Sequence, residues 1–158
     1  MVIGSGNIVR EMGWCDREGY ATSLHFQPSF KYYQLSAKEK RQVDYVYKHV
    51  HALPFNAHPR ELALPSRIVP QVVRALYLLN RCHGLDVVAY KGGHLERDLL
   101  KKLNIPSLNL EEYGCPKANQ LPDMGFDPRM FCGCHDMNIG HCPRQETFLF
   151  HQGIKQTI

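Results

Sequence analysis

The chain has 158 residues and a mass of 18.2 kDa. Its 44% hydrophobic, 22% charged and 10% aromatic residues are the balance of one globular domain, spanning 1–158, and exclude a disordered, collagen-like or coiled-coil protein. Nineteen Lys and Arg against 15 Asp and Glu give a formal charge of +4, which permits an anionic partner without demanding one. No apolar run approaches the roughly 20 residues that cross a bilayer. The amino terminus, MVIGSGNIVREMG, lacks the basic start and apolar stretch of a secretory signal. The expectation is a cytoplasmic or nuclear protein, neither secreted nor membrane-bound.

IVREMGWCDREGYATSLHFQP predicts two short strands, roughly 8–14 and 20–27, joined by a DREG turn. Ser36-Ala-Lys-Glu39 is a capping box and opens a helix over about 37–50, with Val43, Val46, Tyr47 and Val50 on one apolar stripe. A loop, HALPFNAHPRELALPS, separates it from a second helix, PQVVRALYLLNRCHG. In that helix Pro70 suits the first turn and Gly84 the position after the end. LDVVAY (85–90) is an unbroken apolar run of the kind found in a doubly covered strand. After the KGG turn, HLERDLLKKLN predicts an amphipathic helix with Leu95, Leu99, Leu100 and Leu103 inward, and IPSLNL (105–110) a further strand. Residues 111–142 read as irregular, and a helix beginning at Pro143 closes the chain. Strands first, then alternating helices and strands, predict an α/β fold with a mixed sheet flanked by helices.

Four of the six cysteines (Cys115, Cys132, Cys134 and Cys142) fall in the irregular stretch, together with His135 and His141. Six cysteines are too few for a disulfide scaffold, and sulfur and imidazole at this spacing match zinc ligation. Zinc would also give an apolar-poor segment of about thirty residues a reason to hold one shape. Buried small side chains and loop histidines are the plainer alternative. Cys15 and Cys82 lie in or at the ends of predicted elements and read as packing residues.

The acidic residues carry a second pattern. Glu11 lies in the first predicted strand, Glu96 near the start of the helix after the KGG turn, and His141-Cys-Pro-Arg-Gln-Glu146 before the last helix. Their order resembles the DEDDh branch of the RNase H-like exonuclease superfamily. There a strand bears Asp-x-Glu, a later helix begins with Asp, and the last helix begins near His-x-x-x-x-Asp. The resemblance implies an RNase H-like fold. In an active enzyme Glu11, Glu96 and Glu146 would hold two magnesium or manganese ions about 4 Å apart, with His141 as the general base. Val9 stands where the first Asp of the family pattern belongs, and Glu replaces Asp elsewhere. A Glu at a helix start is equally a dipole partner.

The chain is also similar to the Maelstrom domain, an RNase H-like relative that has lost the acidic set and carries a Glu-Cys-His-Cys zinc site. Glu96, Cys115, His135 and Cys142 occur in that order. This resemblance implies structural zinc and binding or processing of nucleic acid, single-stranded RNA above all, with the two-metal site lost or altered. An active exonuclease and a protein-interaction scaffold are the alternatives. Lys91, Arg97, Lys101, Lys102, Lys117, Arg129 and Arg144 are the residues expected on a basic face, or else an ordinary solvated surface. Phe30, Tyr32 and Tyr33 are candidates for base stacking or for core cover.

Overall fold

Alternating side chains and a tight turn build the first supersecondary unit, a β-hairpin. The computed structural model of the chain describes residues 2–4, 9–51, 53–59, 61–81, 86–115 and 142–157. β1 (Val2–Gly4), β2 (Glu11–Cys15), β3 (Ala21–Gln27) and β4 (Ala63–Pro65) form one sheet in that order. β1 and β3 run antiparallel to β2, and β4 runs parallel to β3. The hairpin turn is fixed by Asp16, whose Oδ1 accepts from the amides of Glu18 and Tyr20 at 2.9 and 3.0 Å. Gly19 supplies the positive φ of 96° that follows.

α1 (Ala37–Val46) opens on the expected capping box: the Glu39 amide donates to Ser36 Oγ, and the Ser36 amide to Glu39 Oε2. It is shorter than the sequence predicts and passes into a π-helical turn, Tyr47–His51. α2 (Val69–Asn80) buries Val69, Val73 and Tyr77, which recur every fourth residue, and ends where Arg81 turns extended. A second, two-stranded parallel sheet joins β5 (Val88–Tyr90) to β6 (Ser107–Asn109), with α3 (His94–Lys102) as the crossover. α4 (Pro143–Thr157) is the last helix.

The chain is therefore a mixed α/β fold of small sheets flanked by helices. β4 falls in a stretch the sequence assigns to loop. Its three residues qualify as a strand through pairing with His25–Gln27, a tertiary cause with no local signal.

Met12 and Trp14 of β2 and Phe26 of β3 point to one face, where they join α2, Tyr90 of β5 and Leu100 of α3 in the main core. Side chains alternate, so Glu11, Gly13 and Cys15 face the opposite way with their cross-strand partners His25, Ser23 and Ala21. α4 lies on this second face. A Cβ at Gly13 would collide with the Pro143 carbonyl, Arg144 Nε donates to the Ala21 carbonyl at 3.1 Å, and His151 Nε2 meets the Arg17 carbonyl at 3.0 Å. Leu149 and Phe150 of α4 then pack on Leu110, Ala89 and Leu108. α4 thus runs along the hairpin with its amino-terminal end two strand positions from Glu11.

Candidate functional site

Beyond the start of α4, on the same sheet face, lies a buried polar network. Arg10 precedes β2 and is 3% exposed. Its guanidinium makes a bidentate pair with Glu61 at 2.7 and 2.8 Å, and Nε donates to the Pro54 carbonyl at 3.0 Å. Glu61 Oε1 also meets His25 Nδ1 at 2.6 Å. The other imidazole nitrogen faces Ser23 Oγ at 3.1 Å and Glu11 Oε1 at 3.4 Å, and the Ser23 hydroxyl also lies 3.4 Å from Glu11 Oε1. Glu11 is only 1% exposed. An anion there benefits from the nearby positive end of α4 and from the imidazole.

These contacts set the protonation. Burial pulls the His25 pKa down, but hydrogen bonds and charges from Glu11 and Glu61 outweigh it and hold it above 6.5. Burial pushes Glu61 up, yet hydrogen bonds to Arg10 and His25, with their charges, bring it down to about 2. Below the raised His25 value the imidazolium donates from both nitrogens, one towards Glu61 and the other towards Ser23 and Glu11.

Neither Arg10, Ser23, His25 nor Glu61 stands out in the sequence. Ser23 and His25 have a signal, since a two-residue interval in a strand puts both on one face. Arg10 and Glu61, 51 positions apart, have none.

The sequence candidates distribute unevenly. Glu96 sits in the first turn of α3 at 5% exposure, folded back so that a Cβ on Gly92 would stand 2.5 Å from its Oε1. Glu146 is half-buried in the first turn of α4. Cys142, 1% exposed, directly precedes α4, and the Glu146 amide donates to its carbonyl. Cys115 is half-buried against Leu110 and Phe150, and burial pushes its thiol pKa up, with Lys91 partly opposing. Both cysteines are thiols rather than disulfides, the form in which a zinc ion can take them. Among the described residues no three His, Cys, Asp or Glu side chains gather closely enough to hold a metal ion. Cys132, Cys134, His135 and His141, the centre of the zinc pattern, lie outside the described residues, as do Cys82, Lys117 and Arg129.

Of the expected basic face, Lys91 is turned inward, its side chain 10% exposed. It donates to the Cys115 carbonyl at 2.9 Å and stands 3.4 Å from Glu111. Arg144 is half-buried and bonded to Ala21. Arg97 is exposed. With Lys101, Asn109 and Tyr113 it lines a shallow groove of about 600 Å³ between α3 and the outer side of β6. A separate cavity of about 260 Å³ lies between Trp14 at the end of β2, Tyr77 of α2, Val88 of β5 and Phe150 of α4.

No protein-family model, curated protein or solved structure matches the chain. Among the described residues no helix is long and apolar enough to cross a membrane.

Proposed function

We propose that the chain is an RNase H-like domain that binds single-stranded nucleic acid, RNA above all, and whose two-metal exonuclease site is lost or altered. One observation carries this reading. Glu11, the carboxylate that an exonuclease of this kind would present to metal from its first strand, has Oε1 turned to His25 and Ser23 in a network closed by Glu61 and Arg10. Oε1 gives up these contacts if it is to reach a magnesium ion, and a two-metal centre tolerates displacements of only about half an ångström. Val9, two residues before Glu11, supplies no second carboxylate.

Binding in this reading uses the groove beside β6. Arg97 and Lys101 are one helical turn apart on the outer side of α3, spaced to meet successive phosphates, and Tyr113 offers an exposed ring beside them. Zinc belongs to the same reading as a structural ion. Cys132, Cys134, His135 and Cys142 have the donor chemistry for it, whereas Glu96, Cys115 and Cys142 do not gather around one point. When bound, the ion would tie the stretch before α4 to the sheet.

The test is labelled single-stranded RNA incubated with the full chain and magnesium or manganese, with and without EDTA. The expected result is retention of intact RNA that weakens steeply with salt. Cleavage that stops in EDTA and in Glu11→Ala would replace this reading with an active 3′–5′ exonuclease. Failure to retain RNA at low salt would leave a protein-interaction scaffold.

A further inference from the structure

α1 is an anomaly in this fold, for none of its residues is buried. Isolated helices shorter than about 12–15 residues are marginal, and helices in proteins ordinarily owe their stability to a packed face. Lys40, Val43 and Val46 form the half-buried side. Lys38, Arg41 and Tyr45, at i, i+3 and i+7, share the opposite side and are exposed. Lys48 continues the exposed charge onto the π-helical turn.

The segment from 31 to 48 holds five Lys and Arg and two acids. Both acids are engaged locally: Glu39 closes the capping box, and Asp44 accepts from the Tyr32 hydroxyl at 2.9 Å. Lys38, Arg41 and Lys48 make no ion pair with any described residue. Tyr45 stands among these cations, and Tyr33 is a second exposed ring on the preceding turn. Tyr45 is 63% exposed and Tyr33 75%. Tyr33 belongs to a strap held in place by Asn56, which accepts from the Tyr32 amide and donates to the Phe30 carbonyl.

We infer that the outward side of α1, with Lys38, Arg41, Tyr45 and Lys48, is a docking surface for single-stranded nucleic acid. This rests on the reading of the chain as a nucleic-acid binder and adds a contact surface that shares no residue with the groove between α3 and β6. The partner follows from charge and shape. Unpaired cations one helical turn apart meet phosphates, and Tyr45 between them stacks on an unpaired base, an arrangement tolerant of sequence. A second copy docking through the same surface would set like charges face to face. A lipid surface would want large aliphatic side chains, and the outward side of α1 offers nothing larger than Ala37.

The test is the anisotropy of a fluorescein-labelled 15-residue oligouridylate titrated with the full chain across a salt series. Lys38→Gln/Arg41→Gln/Lys48→Gln is expected to weaken binding at least tenfold at low salt. Removing three phosphate contacts should also make log Kd against log salt shallower by about 2. Tyr45→Ala alone is expected to weaken binding by roughly tenfold without changing that slope. Neither variant empties the core, so an unchanged urea midpoint of Trp14 fluorescence serves as the folding control. Wild-type binding that the triple variant keeps, while Arg97→Gln/Lys101→Gln loses it, overturns the α1 surface and leaves the groove reading standing. Absence of wild-type binding at low salt overturns both. Polyglutamate competing as well as RNA, or self-association lost in the triple variant, also overturns it, in favour of an acidic protein or a second copy.

Discussion

A guanidinium keeps its charge at any pH a fold survives, so a buried one must be neutralised by its surroundings. Arg10 is neutralised by Glu61, which His25 shares. Glu61→Gln would leave that charge uncompensated and is expected to cost about 3–5 kcal/mol, read from urea denaturation at pH 6. The same triad fixes the pH response. The folded pKa of Glu61 is depressed from 4.5 to about 2, so its contribution is present above pH 4.5 and is lost as pH falls towards 2. That of His25 is raised above 6.5, so its contribution is complete below 6.5 and is lost as pH rises through the folded value. Stability should therefore peak between about pH 4.5 and 6.5, with His25→Gln flattening the alkaline limb. An alkaline limb as steep in the variant as in the wild type would show that the imidazole is not its source. Gln145 is the opposite case. Its amide is buried in the first turn of α4 with neither nitrogen nor oxygen hydrogen-bonded to any described residue, so Gln145→Met should raise stability by about 1 kcal/mol or more in thermal denaturation.

At the scale of the element, the docking of α4 depends on a missing side chain. Pro143 occupies the space a Cβ on Gly13 would need, and both partners are backbone or ring atoms with little freedom to yield. Gly13→Ala is expected to cost about 1–3 kcal/mol in urea denaturation and to raise amide exchange along α4 more than along α2. Leu100, fully buried between α3 and the main core, should cost about 2–5 kcal/mol as Leu100→Ala. The inward side of α3 was legible because Leu99, Leu100 and Leu103 follow a helical period, and α2 for the same reason. The hairpin was legible from its DREG turn. The stripe on α1 reads well, yet the helix buries none of it, since periodicity shows that a face is apolar and not that anything packs on it. The buried network was legible only in its strand half, Ser23 and His25. Glu61 reaches it from just before a strand that exists only by pairing with β3. Glu11 was visible as an acid, but its role depends on neighbours distant in sequence.

For the whole molecule, the question is what joins the stretch before α4 to the rest. α4 covers the hairpin face and its Leu149 and Phe150 pack beside β5 and β6, so anything that positions its start also positions the contact of Pro143 with Gly13. Cys142 is the residue at that start, and Cys115 follows the last turn after β6. Glu96, Cys115 and Cys142 do not gather around one point, so a zinc ion at this place would join Cys142 to Cys132, Cys134 and His135 and fix the start of α4 from the stretch before it. The folding energy at stake is on the order of 10 kcal/mol. Purified protein is then expected to carry one zinc per chain by elemental analysis. A strong chelator should lower the thermal midpoint and loosen α4 before the main core, which draws on β2, α2, β5 and α3. Cys142→Ser and His135→Asn should each lose the metal, whereas Cys15→Ser should keep it, because Cys15 lies in β2 with its sulfur near the Asp16 carbonyl. Metal-free protein with an unchanged midpoint would remove zinc from the account and leave α4 held through Gly13, Arg17, Ala21 and the Leu149–Phe150 cluster.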